Sequence, residues 1–144
     1  MAATTFKQSA TSSVKAGIVA GLGGGIVFGM LMAMMGMLPM VAGLVRSENA
    51  MVGFGVHLAI SAFIGAVYGL IASRFAAGGL SAILVGAVYG VIWWVLGALI
   101  AMPLLLGMTQ MIFVINQPQW LSLMGHMIYG VVTALLFVPL SKRL

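Results

Sequence analysis

Residues 51–72 of the chain read MVGFGVHLAISAFIGAVYGLIA, an apolar stretch in which His57 is the only side chain that can be charged near neutral pH. A helix that crosses the hydrocarbon core of a bilayer needs about 20 predominantly apolar residues, so this stretch is long enough to span a membrane. Residues 16–45, 80–106 and 121–140 have the same character. The sequence therefore predicts four membrane-spanning helices.

The composition of the whole chain agrees with this prediction. Of its 144 residues, 63% are hydrophobic and 5% are charged, and the mean hydropathy is +1.25. Such values are typical of a multi-pass membrane protein. We expect an all-α fold, a four-transmembrane-helix bundle with glycine-rich helix contacts. It would form a single domain over residues 16–144, after a flexible cytoplasmic tail over residues 1–15.

The polar residues of the chain exclude most catalytic chemistry. The sequence has no cysteine, and Glu48 is its only acidic side chain, so thiol nucleophiles and paired carboxylates have no candidates. We therefore expect that the protein is not an enzyme. The six basic residues are scattered at helix ends and form no patch, which argues against nucleic acid as a partner.

The distribution of basic residues predicts the orientation of the chain. Five of them fall on one side of the four predicted spans: Lys7, Lys15, Arg74, Lys142 and Arg143. Only Arg46 falls on the other side, next to Glu48. Because cytoplasmic loops carry an excess of Lys and Arg, we expect a multi-pass protein of the bacterial inner (plasma) membrane with both termini in the cytoplasm.

A short motif, Gly-x-x-aromatic-Gly, recurs in every predicted helix. It reads Gly25-Ile-Val-Phe28-Gly29, Gly65-Ala-Val-Tyr68-Gly69, Gly86-Ala-Val-Tyr89-Gly90 and, with histidine in the first position, His126-Met-Ile-Tyr129-Gly130. Small residues four apart let helix backbones approach closely. We interpret nine glycines as helix-packing positions: Gly17, Gly21, Gly25, Gly29, Gly65, Gly69, Gly86, Gly90 and Gly130. Residues 65–69 and 86–90 are identical in helices of opposite direction, so an inverted repeat is one explanation.

Both histidines lie on such small-residue faces. His57 follows Gly53 and precedes Ser61, and His126 follows Ser122 and precedes Gly130, always at a spacing of four. Both helices are predicted to begin on the outer side, which places each imidazole about 8 to 9 Å along its helix. If these two parallel helices are adjacent, both rings can be directed at one object.

Three kinds of binding partner are compatible with the two histidines. The first is a b-type haem held by two imidazoles. The second is copper as Cu(I), which favours imidazole and thioether ligands, with Met124 and Met127 beside His126 completing the set. The third is a hydrogen-bond partner such as a backbone carbonyl, a serine or a tyrosine.

Three tryptophans and a proline bear on the course of the chain. Residues 107–120 are too short to span the membrane and too apolar for a solvated loop, so we expect them along the outer interface, with Trp120 at headgroup depth. Trp93 and Trp94 fall within the third span, where an indole N–H needs a partner. Pro39 is expected to kink the first helix or to mark its end.

The C-terminal half of the chain resembles a known kind of protein. Gly125 followed by His126-Met-Ile-Tyr129-Gly130, together with the stretch from Trp93-Trp94 to Met102-Pro103, is similar to small bacterial inner-membrane proteins of the YagU-like kind. That resemblance implies the membrane architecture and no particular chemistry.

These observations lead to one expected function and two alternatives. We expect a non-catalytic small integral membrane protein that is an accessory or packing subunit of a larger membrane assembly. Its partners would be the lipid bilayer and other membrane subunits or further copies of the chain. The first alternative is an electron-transfer or metal-handling protein that binds haem or copper through His57 and His126. The second alternative is a small transporter.

Overall fold

A computed structural model describes residues 9–72, 74–75 and 78–144, and none of these residues forms a strand. The helices are α1 (Ala10–Met34), α2 (Leu38–Ala42), α3 (Ala50–Ala72), α4 (Leu80–Trp93), α5 (Met102–Leu105) and α6 (Gln117–Ser141). A π-helical segment, Trp94–Ala101, joins α4 to α5. Within the described residues, four helices are long and apolar enough to cross a membrane: Ala10–Met34, Ala50–Ala72, Leu80–Leu105 and Gln117–Ser141. The predicted all-α, multi-pass membrane fold is confirmed.

The first span begins earlier than the sequence suggested. α1 starts at Ala10 because the Ser9 hydroxyl accepts a hydrogen bond from the Ser12 N–H, at 3.1 Å, and so caps the first turn. Residues 10–15, which were expected in the flexible tail, are therefore helical. The rest of that predicted tail, residues 1–8, lies outside the described residues.

The first apolar stretch also ends differently, because it holds more than one helix. α1 stops at Met34, and Gly36 turns the chain with a φ of 68°, a conformation that glycine adopts without strain. Pro39 then stands in the first turn of α2, where its missing N–H costs no helical hydrogen bond. Residues 43–45 follow as a 3₁₀ turn. The predicted 16–45 span is thus one spanning helix plus a short helical cap.

The connection before α6 folds back on the bundle. The Phe113 N–H donates to the Leu99 carbonyl of the π-helical segment at 3.2 Å. Asn116 caps α6 by accepting from the Gln119 N–H at 3.3 Å, so α6 begins before residue 121, the predicted start. Trp120 is 59% exposed, and its ring stacks on Trp94 with centroids 6.4 Å apart.

The four spanning helices form an up-and-down bundle. α1 packs against α3 and α6, and α4 packs against α6. α3 and α4 are joined by the Tyr89 hydroxyl, which donates to the Ile64 carbonyl at 2.6 Å. The order around the bundle is therefore α1, α3, α4, α6, with α3 and α6 parallel on one diagonal. We call the end with Arg74 and Arg143 the basic end and the end with Arg46 and Glu48 the far end.

Glycines allow the closest helix contacts. A Cβ added at Gly17 or Gly21 of α1 would meet the backbone of Gly65 in α3, and a Cβ added at Gly86 of α4 would meet the backbone of Gly130 in α6. In lipid, where the hydrophobic effect does not drive helices together, such backbone approach supplies the van der Waals contact that holds them. All nine of the predicted packing glycines face another helix: Gly17, Gly21, Gly25, Gly29, Gly65, Gly69, Gly86, Gly90 and Gly130.

Candidate functional site around the two histidines

His57 and His126 lie at similar depth on the two parallel helices. His57 is in the second turn of α3 and His126 in the third turn of α6, about 10 and 14 Å from the far-end starts of these helices. Both imidazoles contact the ring of Phe28 from α1, with centroid distances of 5.2 Å to His57 and 4.8 Å to His126. The single object that both rings approach is therefore a phenylalanine side chain.

His57 connects two helices. Its Nε2 lies 3.0 Å from the Gly25 carbonyl oxygen of α1, and because a carbonyl only accepts, Nε2 carries the proton and donates. The side chain is 7% exposed, so this bond is made away from lipid. A Cβ at Gly29 would collide with the Phe54 ring and come close to His57, so glycine there makes room for the imidazole. His57 is held as an interhelical donor.

His126 bonds within its own helix. Its Nδ1 lies 2.8 Å from the Ser122 carbonyl and 3.4 Å from the Ser122 hydroxyl. The bond to the carbonyl places the proton on Nδ1, which leaves the lone pair on Nε2. Among the described residues, no hydrogen bond reaches that Nε2. His126 therefore has a free imidazole nitrogen, whereas the Nε2 of His57 is hydrogen-bonded to the neighbouring helix.

Phe28 fills the space that both imidazoles adjoin. A Cβ at Gly125 of α6 would meet three carbon atoms of the Phe28 ring, so the ring is seated in a notch that this glycine provides. A haem held by both imidazoles needs its iron and porphyrin between the two rings. The residues present do not fit such a group, because the Phe28 side chain occupies that volume.

The four proposed copper ligands are not gathered into one site. Met124 and Met127 are 46% and 37% exposed, whereas His57 is buried. Residues two before and one after His126 project from other faces of the helix, which has 3.6 residues per turn. In the described part of the chain, no group of three or more His, Cys, Asp or Glu side chains is positioned to hold a metal ion.

Other polar groups of the interior also bond between helices. The Tyr129 hydroxyl of α6 donates to the Ser61 carbonyl of α3 at 2.8 Å, across the diagonal of the bundle. Trp94 Nε1 donates to the Gln119 carbonyl at 3.1 Å, which is the partner that a tryptophan within the span requires. Each donor reaches a backbone carbonyl that is already part of a helix.

Sequence reasoning missed the role of Phe28, although a signal was present. Phe28 is the aromatic member of the first Gly-x-x-aromatic-Gly motif, and the aromatic members of all four motifs are buried: Phe28, Tyr68, Tyr89 and Tyr129. The ring in each motif therefore marks a side chain directed into the bundle. This signal does not specify which other side chains the ring contacts.

Comparisons with protein-family models, with curated proteins and with solved structures found no match. The resemblance to YagU-like proteins stays a prediction.

Proposed function

We propose that this chain is a non-catalytic accessory subunit of a larger membrane assembly. In this proposal it lies in the bacterial inner membrane with both termini in the cytoplasm. The charge distribution supports the orientation, since Arg74, Lys142 and Arg143 lie at the basic end and Arg46 is paired in sequence with Glu48 at the far end.

The observation that carries the proposal is how the interior uses its polar groups. His57, Tyr89 and Tyr129 each donate to a backbone carbonyl of a neighbouring or diagonal helix. Interhelical hydrogen bonds of this kind stabilise membrane bundles by about 0.6 kcal/mol on average. Holding the bundle together is a sufficient role for these interior side chains. We therefore assign the contact with a partner subunit to the outer surface of the bundle.

In this proposal a partner binds the lipid-facing surface of the bundle, which is apolar and carries few glycines. The packing glycines face inward, so contact with another subunit would use the large side chains of the lipid-facing sides. Phe63 of α3 and Val88 of α4 are 61% and 60% exposed and belong to adjacent helices. This surface is the first place to look for a protein partner.

Photo-crosslinking in intact cells tests the proposal. A photoreactive amino acid at Phe63 or Val88 should give discrete crosslinked bands that identify a protein partner. The same amino acid at Leu135, which is exposed on α6, serves as a matched lipid-facing control. The proposal fails if no position gives a protein adduct and the purified protein is a monomer with no copurifying chain.

A second candidate function rests on one specific observation, the free Nε2 of His126. An imidazole nitrogen with an available lone pair and a fixed Nδ1 proton resembles a metal-ligating histidine, in which the second nitrogen is held by a carbonyl. A haem or copper site would then use His126 without His57. An absorption spectrum and metal analysis after haem or copper supplementation would support this function if a signal is lost in His126→Ala and retained in His57→Ala.

A further inference from the structure

An apolar groove runs along the bundle surface between α1 and α6, toward the basic end. It extends from Ile26 to Val19 on α1 and from Leu136 on α6 to Arg143, two residues after α6 ends, and its volume is about 690 Å³. Seven residues of helix rise about 10 Å, which sets the length of the groove along the bundle. Its lining is apolar except at Arg143.

One position in the groove lining has no side chain. Gly23 lies in its lining, and a Cβ added there would collide with Cδ1 of Leu136. The Leu136 side chain therefore lies directly on Gly23, and these two residues form the floor of the groove where α1 and α6 meet. The shape suits a narrow, flexible hydrocarbon chain lying along the two helices.

The mouth of the groove is positively charged. Arg143 follows the end of α6 by two residues and lines the groove, and Lys15 lies four residues before Val19, on the same face of α1. The Ser12 hydroxyl donates to the Leu144 carbonyl at 3.1 Å, which places Leu144 beside the start of α1. Glu48, the only acidic side chain of the sequence, lies at the far end.

We propose that this groove binds an anionic phospholipid. One acyl chain lies along the groove over Gly23 and Leu136, and the headgroup phosphate is bound by Arg143 and Lys15. A guanidinium and an ammonium group at the end of an apolar groove are the donors that a phosphodiester at the membrane interface accepts. The inference is independent of the proposed accessory role, since it needs no protein partner.

Native mass spectrometry of the full chain in detergent tests this site. The protein is titrated with phosphatidylglycerol and, in parallel, with phosphatidylcholine of the same acyl chains. We expect the first bound phosphatidylglycerol to be retained more strongly than phosphatidylcholine. In Arg143→Ala its affinity should fall about five-fold, the effect of one basic residue at an anionic lipid surface.

Lys142→Ala is the matched control, because it removes the same charge from the neighbouring position and Lys142 does not line the groove. Its affinity for phosphatidylglycerol should stay within about two-fold of the wild type, a difference below one basic contact. Gly23→Leu, whose side chain displaces that of Leu136 into the groove, should weaken both lipids while a thermal melt shows that the bundle is still folded.

Three results would overturn the proposal. The first is equal binding of the two lipids by the wild type. The second is an equal loss of affinity in Arg143→Ala and Lys142→Ala. The third is displacement of phosphatidylglycerol by inorganic phosphate alone, which would show that the acyl chain contributes nothing.

Discussion

The α1–α3 pair and the α4–α6 pair are built on equivalent glycine contacts. In the first pair Gly21 packs on the Ser61 backbone, and in the second Gly86 packs on the Gly130 backbone. Each histidine lies four residues before the second partner of its pair, so His57 and His126 occupy equivalent positions. Yet His57 bonds to the opposite helix and His126 bonds to its own. The two pairs have the same kind of backbone contact and differ in the hydrogen bond that their histidine makes.

The two pairs also differ at the residue two turns beyond each close contact. Gly29, eight residues after Gly21, leaves room for the imidazole of His57 against α1. The equivalent position in the second pair, eight residues after Gly86, is Trp94, which is buried. The first pair thus has glycine at this position, where the imidazole crosses to α1, and the second has a buried indole, where the imidazole bonds to Ser122 of its own helix.

The same register explains why the bundle is not symmetric. Gly24 of α1 lets α6 approach, since a Cβ there would meet Thr133 and the Tyr129 backbone. The equivalent residue of α4 is Tyr89, whose ring packs on Tyr68 of α3 and whose hydroxyl donates to the Ile64 carbonyl of α3. In this comparison α1 corresponds to α4 and α3 to α6, which are helices of the same direction, and the inverted repeat stays a prediction.

Breaking the shared backbone contacts should have the largest effect. Gly21→Val and Gly86→Val each drive a branched side chain into the backbone of the facing helix, so we expect each to cost more than about 4 kcal/mol or to prevent folding. Circular dichroism melts in detergent measure this. Gly55→Val is the control, because nothing lies within 4 Å of a Cβ there. If either core variant melts like the control, the equivalence of the two pairs is wrong.

Removing the histidines should separate the two pairs. His57→Ala loses an interhelical hydrogen bond and a ring contact, for an expected loss of about 2 kcal/mol. His126→Ala loses a bond within one helix and the ring contact, for an expected loss of about 1 kcal/mol. Unfolding free energies in detergent give both values. A larger loss in His126→Ala would reverse the assignment of roles.

The tyrosine hydroxyls sharpen the comparison further. Tyr129→Phe and Tyr89→Phe keep the ring and remove one bond to the Ser61 or Ile64 carbonyl, so each should lower the unfolding free energy by about 0.6 kcal/mol. Tm shifts measured in the same detergent give the effect. No Tm change in both variants would mean that these bonds contribute nothing to the bundle.

The smallest effect is expected at Tyr68. Its hydroxyl is buried and has no hydrogen-bond partner among the described residues, while its ring packs on Phe137 at 5.4 Å. Tyr68→Phe removes an unpaired polar group, so the unfolding free energy should change by about zero or rise slightly. A loss comparable to that of Tyr129→Phe in the same melts would contradict this reading.

The sequence predicts the spans well because hydrophobic length is a local property. It predicts the inward direction of the motif glycines for the same reason, since spacing by four defines a helix face. The contact of His57 and His126 with Phe28 is not predictable in this way, because it depends on the order of helices around the bundle. The π-helical segment after Trp93 carries no distinct periodicity of its own, and the early start of α1 depends on a single capping serine.

The two imidazoles are assigned different neutral tautomers, with the proton on a different ring nitrogen in each. ¹⁵N NMR of the histidine-labelled protein in detergent or lipid tests this assignment most directly. The resonances are assigned with His57→Gln and His126→Gln. The proton should lie on Nε2 in His57, because that nitrogen donates to Gly25, and on Nδ1 in His126, because that nitrogen donates to Ser122. If both rings carry the proton on the same nitrogen, His57 and His126 do not have the different roles described for them.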